Sequence, residues 1–178
     1  AIDAAMRATN GRLAAANATG CLEVFSTPYP ESSWRLPWFH SLFGNAPAVA
    51  TGMAAAFKVK AQKDGRPMVR VVAQGGDGGT TDIGFGCLSG MFERNDDVLY
   101  ICYDNGAYMN TGIQRSSGTP KYAETTTSAV GKCSPGKKQI RKDLTEVIAA
   151  HHIPYVAQTT FIGNFKDLHE KAEKALYT

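Results

Sequence analysis

The chain has 178 residues, 43% of them hydrophobic, and a formal net charge of +3 at pH 7. This length and apolar content suffice for one domain with a sizeable core. The low charge, with no basic stripe interleaved with aromatic residues, excludes a nucleic-acid-binding protein, and no apolar stretch is long enough to span a membrane. Because the N-terminus lacks the basic-then-apolar order of a signal peptide, the sequence predicts a cytoplasmic protein.

The first elements are a predicted helix, a strand and a turn. Residues 1–10 suit a helix, and residues 13–18 suit a short strand. This strand would deliver Thr19, Gly20 and Cys21 to a turn. A lone cysteine in a turn is typically a small, partly buried hydrophobe.

The cysteines as a set indicate reduced thiols. The chain contains four of them, and no two form a CxxC pair. A domain of this size does not need disulfides. Their positions are Cys21, Cys87, Cys102 and Cys133.

Residues 25–43 contain three prolines, two tryptophans and several other aromatic residues, without helical or strand periodicity. We expect an ordered, irregular loop at a subunit boundary, since aromatic side chains in such a segment need a cover. His40 within it is predicted to pack and to hydrogen-bond in the loop, with a contact to substrate as the alternative.

A long helix is predicted over residues 45–63. Asn45 suits its N-cap, Pro47 suits its first turn, and Gly65 suits its end. The alanine-rich side of this helix permits close approach of another helix or of a cofactor, although helix packing alone would account for it.

The most informative stretch follows. A predicted buried strand, residues 68–74, runs directly into the glycine-rich turn 75–79, which contains Asp77. Thr80 and Thr81 suit the cap of a following helix. A second apolar strand over residues 98–103 then ends in the turn of Asp104, Asn105 and Gly106.

In a strand–helix–strand unit the two strands are parallel neighbours, so the loops after them leave the sheet at the same edge. Asp77 and Asn105 are therefore predicted to face each other. One carboxylate and one amide oxygen suit Mg²⁺, which takes few protein oxygens and leaves its other positions for water and phosphate. The glycine-rich turn would cradle the phosphate. The alternative is a tight turn with an aspartate at a helix start.

The C-terminal part begins with a long polar loop, residues 113–139, which is predicted to be functional or ordered by a partner. Its basic end, with Lys137 and Lys138, is either a solvated lysine face or a surface for an acidic electron carrier. A helix over 143–151, a strand over 155–160 and a helix over 165–177 follow. Asn164 with Asp167 resembles a capping box for the last helix.

Taken together, several motifs resemble one family. The GDG motif followed some thirty residues later by Asn resembles the thiamine-diphosphate signature. The longer segments resemble the 2-oxoacid:ferredoxin oxidoreductases, and within them the beta subunit of the pyruvate:ferredoxin type. These segments read NATGCLEVFSTPYP, GDGG, YDNGAYMNTGIQRS and AAHHIPYVA.

This resemblance implies a single thiamine-diphosphate and Mg²⁺ domain over residues 1–178, of an α/β class with a mostly parallel sheet and helices on both faces. It implies Mg²⁺ ligation by the side chains of Asp77 and Asn105 and the backbone carbonyl of Ala107. It places Asn110 at the reacting end of the cofactor and Cys21 as one ligand of a 4Fe-4S cluster. The remaining cofactor-binding residues that it implies are Thr19, Gly20, Gly76, Gly78, Gly79 and Thr111.

The resemblance also implies a function. It is the oxidative decarboxylation of a 2-oxoacid, with pyruvate favoured over oxalate, 2-oxoglutarate or branched-chain 2-oxoacids. Electrons would pass through 4Fe-4S clusters to ferredoxin, coenzyme A would take the acyl group, and the reaction would be reversible. The activating Glu would lie on an alpha subunit, with further gamma- and delta-type subunits, so the isolated chain is expected to be inactive.

The chain departs from the family pattern in its cysteines. The family takes two further cluster ligands from an upstream CxxC and one from a downstream cysteine, which these residues do not contain. We therefore expect family segments to be lacking at both ends. A non-oxidative thiamine-diphosphate decarboxylase or synthase, and a non-catalytic metal–nucleotide-binding module, remain the alternatives.

Overall fold

The computed structural model describes residues 1–28, 30, 32, 34–160, 162 and 164–178. A π-helical turn spans Gly79–Ile83. The α-helices are α1 (Ile2–Ala8), α2 (Cys21–Ser26), α3 (Ala46–Asp64), α4 (Phe85–Glu93), α5 (Leu144–Ala149) and α6 (Phe165–Lys174). The strands are β1 (Leu13–Ala18), β2 (Trp38–Ser41), β3 (Arg70–Gly76), β4 (Val98–Tyr103), β5 (Val130–Gly131) and β6 (Ser134–Pro135).

The main sheet has four parallel strands in the order β2-β1-β3-β4. Its central strand β1 is buried along its whole length. Strands buried on both faces have no polar alternation, which explains the run of alanines in β1. The register pairs Ala15 with Val72 and Gly76 with Tyr103, so β3 and β4 end side by side as predicted.

Helices cover both faces of this sheet. On one face, the small residues Ala46, Ala50 and Ala54 of α3 pack against β1 and β3. On the other face, α1 and Leu176 pack against Leu13 and the other side of the same strands. The α/β class with helices on both faces is therefore confirmed, and the alanine-rich side of α3 serves close packing on the sheet.

The ends of the helices follow the sequence in most cases. Gly65 ends α3 with a left-handed φ of 63°. At the N-terminus of α6, Asn164 Oδ1 accepts from the Asp167 N–H at 3.0 Å. Asn45 takes the N-cap position of α3, but its side chain makes no capping hydrogen bond, so that part of the prediction was wrong.

Three local predictions were wrong because tertiary packing overrides local signals. Trp38–Ser41, expected to be irregular, forms β2 against β1. Cys21, expected in a turn, is the first residue of α2. Residues 155–160, expected to be a strand, lie outside regular structure, and Val156 packs beside Leu88 and Met91. The predicted loop 25–43 also includes Tyr29, Glu31 and Ser33, which lie outside the described residues.

In the part of the chain that the structure describes, no helix has both the length and the hydropathy that a membrane crossing would require.

Candidate metal centre

The site is built where β3 and β4 end. Gly76, the last residue of β3, is paired with Tyr103, the last residue of β4. The next residues therefore leave the sheet together at one edge. Asp77 follows Gly76 directly, and Asn105 follows Tyr103 by two positions. This is the juxtaposition that the parallel strands predicted.

Three polar groups converge there. One terminal atom of the Asn105 side-chain amide lies 2.9 Å from the Ala107 carbonyl oxygen and 3.0 Å from Asp77 Oδ1. If that atom is nitrogen, it donates to both oxygens. If it is oxygen, three oxygens meet with no donor between them.

The arrangement fits a small hard cation. Mg²⁺ binds oxygens at about 2.0–2.1 Å in an octahedron, so two neighbouring ligand oxygens stand about 2.9 Å apart. Both distances from the Asn105 amide match such an edge. A carboxylate, a side-chain amide and a backbone carbonyl are ligands that Mg²⁺ accepts, and they leave further coordination positions for water and phosphate.

Asp77 is held firmly on its other side. Its side chain is 1% exposed, and the Ser116 hydroxyl donates to Asp77 Oδ2. A Cβ at Gly118 would lie 2.8 Å from the same oxygen, so only a glycine fits there. Burial raises the pKa of the Asp77 carboxyl, while the Ser116 hydrogen bond opposes that rise. A bound cation would stabilise the charged form.

The glycine-rich turn is shaped by contacts that a side chain would block. The Tyr108 ring lies where a Cβ of Gly78 would be, and its hydroxyl donates to the Gly78 carbonyl at 3.1 Å. Gly79 opens the π-helical turn and lies beside Phe43. The turn therefore brings its backbone close to the end of β3, where a phosphate cradle was predicted.

Thr80 and Thr81 do not cap a helix, so that prediction was wrong. Their hydroxyls donate backwards, to the Gly76 carbonyl at 2.6 Å and to the Asp77 carbonyl at 2.8 Å. This satisfies two carbonyls at the junction of strand and turn. The two threonines thus stabilise the backbone conformation at Gly76 and Asp77.

Thr19, Gly20 and Cys21 border the same edge from β1. The Thr19 hydroxyl lies 2.8 Å from His40 Nε2 and donates to the Ser41 carbonyl at 3.0 Å, while His40 also stacks on Trp38. These contacts agree with the structural reading of His40. The other terminal atom of the Asn105 amide lies 3.8 Å from Cys21 Sγ, so the predicted iron ligand adjoins the predicted magnesium ligands.

The described residues supply no further iron ligands near Cys21. Among them, no group of three or more His, Cys, Asp or Glu side chains is arranged to hold a metal ion. Cys133 is exposed, and burial raises the pKa of Cys102 to about 12. A thiol of that pKa stays protonated and is a poor metal ligand.

Asn110 and Thr111 lie apart from this buried network. They occupy a loop that is closed by the backbone pair of Tyr108 and Gln114, and both are exposed. The Thr111 hydroxyl donates to Gln114 Oε1. Both residues are therefore accessible to solvent within this loop.

The residues that support the metal loops, meaning the loops that carry Asp77 and Asn105, were not predicted from the sequence. Ser116 and Thr119 belong to the loop that had been predicted only as polar and long. Lys137, predicted to lie on a basic surface, is 2% exposed, so that prediction was wrong. Burial lowers the pKa of its ammonium group. Only the SSGT sequence, which is typical of a hydroxyl-rich turn, hinted at this network.

Fold and site together define an α/β domain that offers oxygens for a cation beside a glycine-rich turn. The chain belongs to the thiamine pyrophosphate enzyme family, because the C-terminal TPP binding domain of that family matches residues 18–178.

Individual proteins show a more specific similarity than the family model does. The chain is 57% identical to pyruvate synthase subunit PorB of Methanosarcina barkeri over 159 residues, which are 89% of this chain and 52% of that protein. It is 56% identical to the PorB subunit of Methanocaldococcus jannaschii over 163 residues, covering 90% of this chain and 54% of that one. The chain thus spans about half the length of these curated relatives.

A solved structure is similar over the whole fold. The 2-oxoglutarate:ferredoxin oxidoreductase from Magnetococcus marinus, with 2-oxoglutarate, coenzyme A and succinyl-CoA bound, superposes with a TM-score of 0.77 at 27% identity. The match covers 99% of this chain and 56% of that chain. The parallel-sheet fold is therefore shared with an oxidoreductase of this kind.

Proposed function

We propose that this chain is the thiamine-diphosphate- and Mg²⁺-binding part of a 2-oxoacid:ferredoxin oxidoreductase that acts on pyruvate. The reaction would be reversible oxidative decarboxylation to acetyl-CoA and CO₂. The observation that carries the proposal is the convergence of Asp77, Asn105 and the Ala107 carbonyl beside the glycine-rich turn. The names of the two similar pyruvate synthase subunits favour pyruvate as the substrate.

The residues of this chain divide the work of holding the cofactor. Asp77 and Asn105 would bind Mg²⁺ through side-chain oxygens, and Ala107 through its carbonyl. The turn of Gly76, Gly78 and Gly79 would offer backbone N–H groups to the diphosphate, helped by Thr19, Gly20 and Thr111. When bound, thiamine diphosphate supplies the carbanion that attacks the keto carbon and the ring system that holds the resulting electrons.

Asn110 would act on the substrate itself. It follows Asn105 by five residues and is exposed to solvent. An amide N–H there can donate to the substrate carboxylate or to the oxygen that gains charge in the transition state. The activating Glu would come from an alpha subunit, as the resemblance implies.

Electron transfer is the part of the proposal that depends most on other chain segments or subunits. Cys21 Sγ adjoins Asn105, so a 4Fe-4S cluster ligated there would lie next to the cofactor. Such a cluster takes four thiolates, so its other ligands would lie outside these residues. Electrons would continue to ferredoxin, with coenzyme A as the acyl acceptor and gamma- and delta-type subunits completing the complex.

The decisive experiment is calorimetric titration of the intact enzyme containing this chain with thiamine diphosphate, with and without Mg²⁺, and with ATP in parallel. We expect binding of thiamine diphosphate that requires Mg²⁺, and no comparable binding of ATP. Asp77→Ala should weaken it by at least about 100-fold, since residues that only support a metal ligand already contribute about 10–100-fold.

The matched control is Asp97→Ala, which removes a carboxylate near the start of β4, at the opposite end of that strand. Asp97 is exposed and pairs with Arg70, so cofactor affinity should stay at the wild-type value. Equal affinity of the Asp77 variant and the wild type would refute the metal assignment. Preferential binding of ATP would instead favour a metal–nucleotide module.

A further inference from the structure

One short turn touches both loops of the metal centre. We define the clamp turn as residues 116–119. The Ser116 hydroxyl donates to Asp77 Oδ2, and the Thr119 hydroxyl donates to the Gly106 carbonyl at 2.5 Å. Gly106 stands between Asn105 and Ala107. The clamp turn is therefore hydrogen-bonded to one proposed magnesium ligand, Asp77, and to the residue that lies between the other two.

The clamp turn is in turn held by a buried cation. Lys137 Nζ donates to the Ser117 carbonyl at 3.0 Å and also to the Thr119 carbonyl. The lysine is brought there by backbone pairing, because its N–H donates to the Ala123 carbonyl at 3.1 Å and its carbonyl accepts from the Tyr122 N–H at 2.7 Å. Burying an ammonium group is unfavourable unless its donors are used in this way.

Within the clamp turn, Ser116 and Thr119 also hydrogen-bond to each other. The Ser116 N–H donates to Thr119 Oγ1 at 3.0 Å, and the Thr119 N–H donates to the Ser116 carbonyl at 3.3 Å. Since both side chains then reach out to the metal loops, a shift of the turn would move both loops together. Lys137 thus supports a turn that contacts both metal loops.

Ser116 also decides how Asp77 presents its oxygens. The serine hydroxyl engages Oδ2, which leaves Oδ1 as the oxygen beside Asn105 and Ala107. A carboxylate held in this way offers one oxygen to a cation. Single-oxygen ligation suits the octahedron of Mg²⁺, whereas Ca²⁺ accepts more ligands and two-oxygen carboxylates.

From these contacts we infer that Lys137 and the clamp turn are positioning residues for the cofactor's cation: Lys137 fixes the turn, Thr119 fixes the Asn105–Ala107 loop, and Ser116 orients Asp77 for Mg²⁺ rather than Ca²⁺. The inference rests on the proposed metal site and adds residues and a cation preference to it. None of these side chains touches the cation itself.

The test measures the concentrations of Mg²⁺ and Ca²⁺ that half-saturate thiamine-diphosphate binding in the intact enzyme. Lys137→Met keeps the length of the aliphatic part of the side chain and removes the ammonium group, and should weaken Mg²⁺ binding by about 10–100-fold. Ser116→Ala should weaken Mg²⁺ binding by about tenfold and Ca²⁺ binding by less, because the freed Oδ2 can join Oδ1 on the larger ion.

Two further measurements separate positioning from general loss of structure. The EPR spectrum of Mn²⁺ bound in place of Mg²⁺ should broaden in both variants, since its ligand geometry becomes less uniform. The double variant should lose less affinity than the product of the single losses, because both residues act through one turn. Lys138→Met, at the exposed neighbour of Lys137, is the matched control and should behave as wild type.

The outcomes are distinct. A wild-type enzyme that binds no thiamine diphosphate with Mg²⁺ would refute the proposed function itself. Wild-type binding with Lys137→Met and Ser116→Ala indistinguishable from Lys138→Met would refute the positioning role alone. If Lys137→Met does not fold, Ser116→Ala decides the matter, since it removes one hydroxyl only: an unchanged ratio of Mg²⁺ to Ca²⁺ affinity would overturn the inference.

Discussion

The proposed site, at the edge where β3 and β4 end, has a buried side and an accessible side, which we call its inner and outer flanks. On the inner flank, Asp77 is buried, accepts a hydrogen bond from Ser116 and lies against Asn105. On the outer flank, Asn110 is exposed, and Cys21 is only partly covered. The chain thus holds Asp77, proposed for the cation, by buried contacts, and leaves accessible the residues proposed for the substrate and for the iron–sulfur cluster.

The difference has a physical reason. A cation site must hold several oxygens within a few tenths of an ångström, which requires that each ligand be locked by further contacts. A donor that acts on substrate needs an open approach until the substrate and any partner chain cover it. We therefore expect inner-flank substitutions to change binding of the cation and cofactor, and outer-flank substitutions to change turnover or electron transfer.

The largest effect expected on the outer flank is that of Asn110→Ala. Losing a donor that acts in the transition state typically lowers turnover by about 10²–10³. Cofactor affinity and iron content should stay at wild-type values. Stopped-flow measurement of substrate consumption, with ferredoxin reduction followed in parallel, would report the loss.

Asn45→Ala provides the control, because that exposed asparagine makes no capping bond at the start of α3 and should leave turnover unchanged. If Asn110→Ala consumed the 2-oxoacid at the wild-type rate and slowed only ferredoxin reduction, the placement of Asn110 at the reacting carbon would be wrong. Asn110 would then act in electron transfer and not on the substrate.

Cys21→Ser sharpens the boundary between the flanks. In the complete complex it should remove or destabilise one 4Fe-4S centre, because serine replaces one of the four thiolates that such a cluster requires. Thiamine-diphosphate binding should persist, although Cys21 Sγ lies 3.8 Å from the Asn105 amide. Iron analysis and the EPR spectrum of the reduced enzyme would measure the change.

Cys133→Ser, at an exposed cysteine, is the matched control and should retain all iron. An unchanged iron count and spectrum in Cys21→Ser would leave Cys21 as a packing residue beside the metal loop.

The smallest expected effect is on stability. Burial raises the pKa of Asp77, so its proton is bound more tightly in the folded chain than in the unfolded one. Stability from this group is therefore fully present below the unfolded pKa of about 3.9 and is lost as pH rises through the folded value. At neutral pH and without Mg²⁺, Asp77→Asn should stabilise the protein by about 0.5–2 kcal/mol, as substitutions that relieve a functional strain often do.

Calorimetric unfolding in the presence of a chelator, at neutral pH and near pH 3, would check this sign. The gain should vanish at the lower pH, and Asp97→Asn should produce no such pH-dependent gain. A variant that is less stable than wild type at neutral pH would show that the hydrogen bonds to Asp77 outweigh the burial of its charge.

The meeting of Asp77 and Asn105 could be predicted from the sequence because it depends only on one strand–helix–strand unit. Two apolar strands joined by a helix become parallel neighbours, and the residues after their ends then meet whatever the rest of the fold does. The motif residues Asp77 and Asn105 needed nothing more. The resemblance added Ala107, Asn110 and Cys21; in the structure Ala107 and Cys21 lie beside Asn105, and Asn110 is exposed in the following loop.

Other features depended on contacts between distant segments. Nothing in the sequence distinguishes Lys137 from Lys138, yet one is buried and the other exposed, because the Ala123 pairing turns only Lys137 inward. The same holds for β2, which exists through its pairing with β1.

Sequence alone therefore determined the fold class, the parallel strand pair and the oxygens that end it, since periodicity and chain connectivity suffice for these. Only the tertiary structure decided which hydroxyls and which lysine support those oxygens. The reason is that hydrogen bonds such as that from Ser116 to Asp77 join residues far apart in the chain, and their geometry exists only after both segments have packed.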